Sequence, residues 1–184
     1  DRLEMIAFNV LSTQVSDDAQ TRQYYQQANQ VMATKAIRNF IQEREGRRIV
    51  YGLLSGYPCC TCNLHQGWPK LTQHLWMATA DKGLAALIYA PSQVTATVAD
   101  DQSVTLKQST YYPFDDQVQI EVSTDADATF PLHLRIPAWC DAPALSLNGK
   151  STKGQRKGNL IIVNRTWKDG DQIVLTLPMK LKTK

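Results

Sequence analysis

The chain has 184 residues, 43% of them apolar, and a formal net charge of +3. That is enough for a globular chain of one or two domains with a substantial core, and too little charge to imply an electrostatic partner. The densest basic clusters, Arg44 to Arg48 and Lys180 to Lys184, lack the interleaved aromatics of a nucleic-acid platform and read as solvated faces. No apolar run approaches the roughly 18 residues of a membrane span, and no signal-peptide pattern is present.

Leu3, Ile6, Ala7, Val10 and Leu11 recur at helical spacing, so the chain opens on one face of an amphipathic helix. No cap precedes it, and the start reads as mid-helix, as though cut from a longer protein. From Ser16 to Gln30 the composition turns polar around the pair Tyr24 and Tyr25, which predicts a loop or short irregular segment. Val31 to Arg44 has helical character, and Glu43 to Arg48 forms a charged turn around Gly46. Glu43 and Glu45 raise the question of acid/base work. Flanked by Arg44, Arg47 and Arg48 they read as solvated carboxylates, because a general acid needs an apolar or like-charged setting to keep its proton.

The stretch Tyr57-Pro-Cys-Cys-Thr-Cys-Asn-Leu-His-Gln-Gly-Trp-Pro-Lys70 gathers three of the four cysteines and one of the three histidines, and is where chemistry is expected. Cys59 and Cys60 are adjacent, and Cα atoms about 3.8 Å apart are too close for an easy disulfide. Two neighbouring thiolates can still grip one soft metal. Asn63 can cap a helix, and Pro69 suits a first helical turn. A helix start beside Cys59 to Cys62 would favour thiolates as nucleophiles. A disulfide to Cys140 and simple buried thiols remain open beside a metal site or nucleophile. Cys-Cys-x-Cys occurs once, with no second Cys/His pair at zinc-finger spacing.

After the motif, Leu71, Leu75 and Ala78 predict a helix over Pro69 to Thr79, with Gly83 just past its end and His74 as an ordinary surface or core histidine. At Leu84 the apolar period changes from about 3.6 to about 2, which marks a domain boundary. Strands are expected at Leu84–Ala90, Gln93–Ala99, Val104–Ser109, Gln117–Ser123, Thr129–Ile136, Ala144–Leu147, Asn159–Val163 and Gln172–Leu177. Turns such as Asn148-Gly149 and Lys168-Asp-Gly-Asp171 separate them, which argues for an antiparallel sandwich. His133, between Leu132 and Leu134, should face away from the core. Trp139 and Trp167 read first as core tryptophans and second as sugar-stacking platforms. No phosphate loop, Gly-x-Ser-x-Gly elbow or His-x-x-x-His helix occurs, so nucleotide binding, serine hydrolysis and common metalloprotease chemistry lack support.

The cysteine stretch, together with Leu75-Trp-Met-Ala-Thr-Ala-Asp81 and Gly83-Leu-Ala-Ala-Leu-Ile-Tyr-Ala-Pro91, resembles glycoside hydrolase family 127, the β-L-arabinofuranosidases. The resemblance runs from Asp1 through Trp167-Lys-Asp-Gly-Asp171 to Leu177-Pro178, specific in the cysteine motif and generic in the sandwich. It implies a retaining glycosidase in which a zinc-bound cysteine thiolate attacks the anomeric carbon and a glutamic acid protonates the leaving oxygen. Carried over by position, Cys59 is nucleophile and zinc ligand, Cys60 a second ligand, and Tyr25 lines the sugar site. The family's Glu-x-Cys ligands and acid/base glutamate lie upstream of this motif, and no Glu-x-Cys occurs in this sequence. Thr61 and Cys62 stand where the family commonly has prolines, leaving Cys62 as an extra ligand, a site-lining thiol or an idle one. His65, three residues beyond Cys62, is a candidate metal or sugar contact.

The expected architecture is α+β: residues 1–83 close an (α/α)6-barrel helical domain, and residues 84–184 form an antiparallel β-sandwich. The expected function is part of a retaining glycoside hydrolase with zinc as cofactor and an L-arabinofuranoside-type carbohydrate as partner, without nucleic acid or membrane. The 184-residue piece by itself should be inactive. The alternatives are a non-catalytic carbohydrate-binding or structural sandwich module, and a zinc or thiol-redox protein built on Cys59, Cys60, Cys62 and His65.

Overall fold

The computed structural model describes residues 1–26, 34, 47–53, 55–99 and 101–181. The predicted helix over Val31 to Arg44, apart from Thr34, and the carboxylates Glu43 and Glu45 lie outside the described residues. The chain divides into two compact units, Asp1–Thr72 and Gln73–Lys184.

In the first unit a continuous helical stretch begins with α1 (Arg2–Met5), widens to a π-helix over Ile6–Leu11 and tightens to a 3₁₀ turn at Ser12–Gln14. The polar side chains explain the irregular ladder: Asn9 Nδ2 donates to the Met5 carbonyl at 2.9 Å and Thr13 Oγ1 to the Asn9 carbonyl at 2.6 Å. Such back-bonding competes with backbone donors for the same oxygens. The expected apolar face is only partly covered within this unit. Ala7 is 2% exposed, whereas Leu3 is 54% and Ile6 53% exposed, so the face turns one edge inward and leaves a ridge to solvent.

The described part of the expected loop, Ser16 to Gln26, is a tight turn held by isolated bridges from Val15 to Arg22 and from Arg22 to Gly52. Two short helices follow, α2 (Pro58–Leu64) and α3 (Gly67–Thr72). The helix expected to run to Thr79 stops at Thr72, and Trp76–Ala78 is a strand. The apolar positions Leu75 and Ala78 that suggest a helix serve a hairpin with Leu84–Ala86 instead.

The second unit is built from two sheets. The first contains β1 (Trp76–Ala78), β2 (Leu84–Ala86), β6 (Ala128–Arg135), β9 (Gln155–Lys157) and β10 (Leu160–Trp167), in the order β1-β2-β6-β10-β9. The second contains β3 (Ser92–Val98), β4 (Gln102–Thr110), β5 (Gln117–Thr124), β7 (Ala144–Leu147), β8 (Lys150–Thr152) and β11 (Gln172–Thr176), in the order β3-β4-β5-β11-β7-β8. The inward positions alternate as the sequence requires: Val118, Ile120 and Val122 on β5, Ile173 and Leu175 on β11, Phe130, Leu132 and Leu134 on β6. Each such side chain contributes about 1.5–3 kcal/mol by leaving water. Trp167 is fully buried, and its indole N–H donates to the Phe130 carbonyl at 3.0 Å. It is a core tryptophan.

Two features depart from the sequence reading. The pairing is not wholly antiparallel, because β2 runs parallel to β6, Leu84 opposite Leu132. Gly83 permits that approach, since a Cβ there would sit 2.1 Å from the Pro131 carbonyl oxygen. His133, expected at the surface, is buried, and its Nε2 lies 3.0 Å from the Asp81 carboxylate. The turn joining β1 to β2 brings Asp81 over the outer face of β6, so both faces of that strand are covered.

At the other end of the unit, Asp171 is buried and accepts from Asn148 Nδ2 at 2.7 Å and from the Lys168 N–H at 3.0 Å. Asn148 Oδ1 in turn accepts from the Gln172 N–H at 2.8 Å. This network locks the Lys168-Asp-Gly-Asp171 turn to the β7–β8 hairpin.

Candidate functional site around the thiol pair

Local sequence sets the cysteines in the first turn of α2. Tyr57 is its extended N-cap, at φ −93° and ψ 142°, and Pro58 occupies the first helical position, where its missing N–H costs nothing. The helix beside the cysteines therefore starts at Pro58 rather than at Asn63. Asn63 lies inside it, and its Nδ2 donates to the Cys59 carbonyl at 2.8 Å. None of the four cysteines is in a disulfide: Cys59, Cys60 and Cys62 are exposed and Cys140 is buried in the second unit. The alternatives of a disulfide to Cys140 and of buried thiols in the motif fall away. The Sγ atoms of Cys59 and Cys60 lie 3.9 Å apart.

An aromatic and cationic cluster flanks the pair. The Cys60 thiol is a side-chain hydrogen-bond partner of Tyr24, whose phenol is held above its usual pKa by partial desolvation first and by the Cys60, Tyr25 and Cys59 groups after it. The Tyr24 ring meets Tyr25 edge-on at 4.6 Å and Tyr57 at 5.7 Å. The Arg22 guanidinium stands 5.4 Å from the Tyr24 centroid, and that of Arg48 stands 4.6 Å from the Tyr57 centroid, with Arg48 Nη2 donating to the Tyr57 hydroxyl at 3.1 Å. These are cation–π distances. Arg22 is buried and also donates to Thr61 Oγ1 on α2, which ties the Tyr24 segment to the cysteine helix.

Gly56 makes room for this packing. It adopts φ +72°, and a Cβ there would fall 2.1 Å from the Tyr24 ring carbons. Any other residue would carry both a backbone penalty and a clash with the ring beside the thiols.

Of the residues singled out from sequence, Cys59 and Cys60 are brought together. Tyr25 is 44% exposed and reaches the pair through Tyr24. His65 caps the far end of α2 and lines a cleft of about 300 Å³ with Val15, Arg22, Leu53, Thr61 and Trp68; neither Cys59 nor Cys60 lines it. The sequence reading did not single out Arg22, Tyr24, Arg48 or Tyr57. The signal that could have found two of them is spacing: Arg22 and Tyr24 sit two apart in an extended segment and so share a side.

The donor set suits zinc as half of a site. Zinc–thiolate bonds of about 2.3 Å place two thiolates of one tetrahedral ion about 3.8 Å apart. The observed separation of 3.9 Å matches. Among the described residues no three His, Cys, Asp or Glu side chains come together, so further donors would have to come from elsewhere. No helix among the described residues is long and apolar enough to cross a membrane.

A two-sheet sandwich preceded by a helical segment bearing an exposed thiol pair defines the class of domain. Residues 83–179 match the profile of the beta-L-arabinofuranosidase GH127 middle domain, and the chain belongs to this family. A GH127 β-L-arabinofuranosidase from Geobacillus stearothermophilus T6 superposes with a TM-score of 0.71 at 22% identity, over 92% of this chain and 26% of that one. A structure described as a glycoside hydrolase gives 0.75 at 23% identity, over 96% and 28%, and a GH127 β-arabinofuranosidase gives 0.72 at 18%, over 96% and 28%. At these identities the likeness is one of fold. The chain spans little more than a quarter of the length of those structures. No curated protein matches it.

Proposed function

We propose that this chain is part of a retaining glycoside hydrolase of β-L-arabinofuranosidase type in which the Cys59 thiolate is the nucleophile. The observation that carries the reading is the exposed thiol pair in the first turn of α2, with sulfurs 3.9 Å apart, in a chain of family 127. In this reading residues 1–83 close an (α/α) helical catalytic domain and residues 84–184 form its companion sandwich. The exposed ridge of Leu3 and Ile6 suits such a setting, because apolar helix faces in helical barrels are covered by neighbouring helices.

Cys59 and Cys60 would supply two zinc ligands. Bound there, zinc would keep sulfur deprotonated at neutral pH. The chain's own residues do the rest of the local work. The first turn of α2 fixes the direction of Cys59. Tyr24, held in its protonated form, offers an O–H beside the pair, and Tyr25 presents an exposed ring edge suited to a sugar. The Cys59 sulfur attacks the anomeric carbon of an L-arabinofuranoside as the leaving oxygen takes a proton from a glutamic acid outside this chain. Water then displaces sulfur from the glycosyl–cysteine bond, giving net retention. The 184-residue chain, which lacks that glutamate, should not turn over.

The test is release of the aryl group from an aryl β-L-arabinofuranoside by the intact parent protein, its Cys59→Ala variant and this chain, with zinc content recorded for each. Turnover confined to the intact wild type supports the reading; full activity in Cys59→Ala ends it.

One observation favours a second reading, carbohydrate binding by the sandwich. Trp139 is 37% exposed and stacks on Tyr112 with an interplanar angle of 11° and centroids 6.5 Å apart, as a sugar platform would. Glycan binding that survives loss of the cysteines but not Trp139→Ala would place function there.

A further inference from the structure

Cys62 has no part in the proposed nucleophile and ligand pair, yet it is the third exposed thiol on one short helix. We infer that Cys59 and Cys62 form a reversible disulfide, a thiol switch that removes the Cys59 sulfur from use under oxidising conditions. The consequence for catalysis rests on the nucleophile assignment above; the disulfide itself does not.

The geometry selects this pair by elimination. Cys59 and Cys60 are neighbours in sequence, with Cα atoms about 3.8 Å apart, below the 4.4–6.8 Å that an unstrained disulfide spans. Cys60 and Cys62 are two apart on a helix, and such residues do not face each other. Cys140 is buried and belongs to the other compact unit. Cys59 and Cys62 are three apart within α2, Pro58–Leu64, and residues at that spacing stand on one helix face with Cβ atoms about 5–6 Å apart. A slight tightening of the turn brings the Cβ atoms toward the roughly 3.5–4.5 Å of a disulfide, and rotation about χ1 turns the two sulfurs toward each other. The turn already has a 3₁₀-type bond, with the Cys60 N–H donating to the Tyr57 carbonyl at 3.3 Å. Both thiols are open to solvent, as a redox pair requires.

The chemistry balances with hydrogen peroxide as oxidant. The Cys59 thiolate attacks one peroxide oxygen, the O–O bond breaks, and a sulfenic acid forms as the first water leaves. The Cys62 thiol then attacks the sulfenic sulfur, an S–S bond forms, and the hydroxyl departs as a second water. Two cysteines lose two electrons in all, and the peroxide gains them. A small dithiol returns both thiols by exchange.

The experiment treats the chain, first stripped of metal by a chelator, with hydrogen peroxide, then denatures it, alkylates free thiols and maps peptides by mass. In wild type the alkylatable cysteines should fall from four to two, a peptide linked through Cys59 and Cys62 should appear, and dithiothreitol should reverse both changes. Cys60→Ser should leave the link intact. Cys62→Ser should instead stop at a Cys59 sulfenic acid that a dimedone probe captures. Absence of the linked peptide, or a link through Cys60 or Cys140 in its place, overturns the inference. These readouts need no glycosidase activity, so failure of the nucleophile assignment shows up separately, in the Cys59→Ala turnover.

Discussion

Tyr24 is the residue on which the thiol pair most depends, because it touches Cys60 and receives the rings and cations around it. Tyr24→Phe keeps the ring packing and removes the hydroxyl. Loss of one hydrogen bond of about 1–1.5 kcal/mol should lower turnover of the intact enzyme roughly tenfold, with the fold unchanged by circular dichroism. Gly56→Ala attacks the same place from the backbone. With φ at +72° and the Tyr24 ring in the way of a Cβ, it should cost about 1–2 kcal/mol in a urea titration and blunt activity as Tyr24 is displaced.

At the scale of elements, the sandwich strands carry different shares of the stability. Trp167→Ala, in the core of β10, should destabilise by about 3–5 kcal/mol. Trp139→Ala, half in solvent, should cost under about 1.5 kcal/mol, and comparative thermal melts would separate the two. This contrast shows how far sequence could be read. All eight strands anticipated from alternation are present, because a half-buried strand writes its pattern every second residue. Trp76–Ala78, Lys150–Thr152 and Gln155–Lys157 escape that test, being three residues each and largely polar or exposed. His133 points away from the core as alternation predicts, but it is covered, because alternation assumes one wet face and the Asp81 turn dries the second face of β6. In the site, the cysteine pair is legible from its motif and the two-residue spacing of Arg22 and Tyr24 hints at a shared side, whereas the approach of Arg48 to Tyr24 and Tyr57 comes from tertiary packing that no local spacing announces.

At the scale of the whole molecule, Asp171 and Asp81 are the carboxylates among the described residues that tie the sandwich to pH. Burial pushes the Asp171 pKa up, but hydrogen bonds from Asn148 and the Lys168 N–H, with Arg165 and Lys168 nearby, bring it below its ordinary 3.8. The Asp81 pKa is lowered too, first by the Thr79 hydroxyl and then by His133. A folded-state pKa below the unfolded one gives stability that is present above about pH 4 and lost as pH falls through the folded value. Stability to urea should therefore decline from about pH 4 downward. Asp171→Asn should flatten that decline, and because it leaves one Asp171 contact mispaired it should cost about 1.5–3 kcal/mol at neutral pH. An unchanged acid limb in Asp171→Asn would assign the sensitivity to other groups.

The parallel pairing of β2 with β6 sets the order in which the chain can assemble. β3, β4 and β5 can zip through successive antiparallel pairs, each strand beside its neighbour in sequence. β2 must wait, since its partner is made of residues 132–134 and the whole of that meander intervenes. During synthesis the β1–β2 hairpin emerges early with its pairing edge open, and closing so long a loop is slow. The strand that opens the sandwich thus becomes fixed only after β3, β4 and β5 have been made and β6 has followed them.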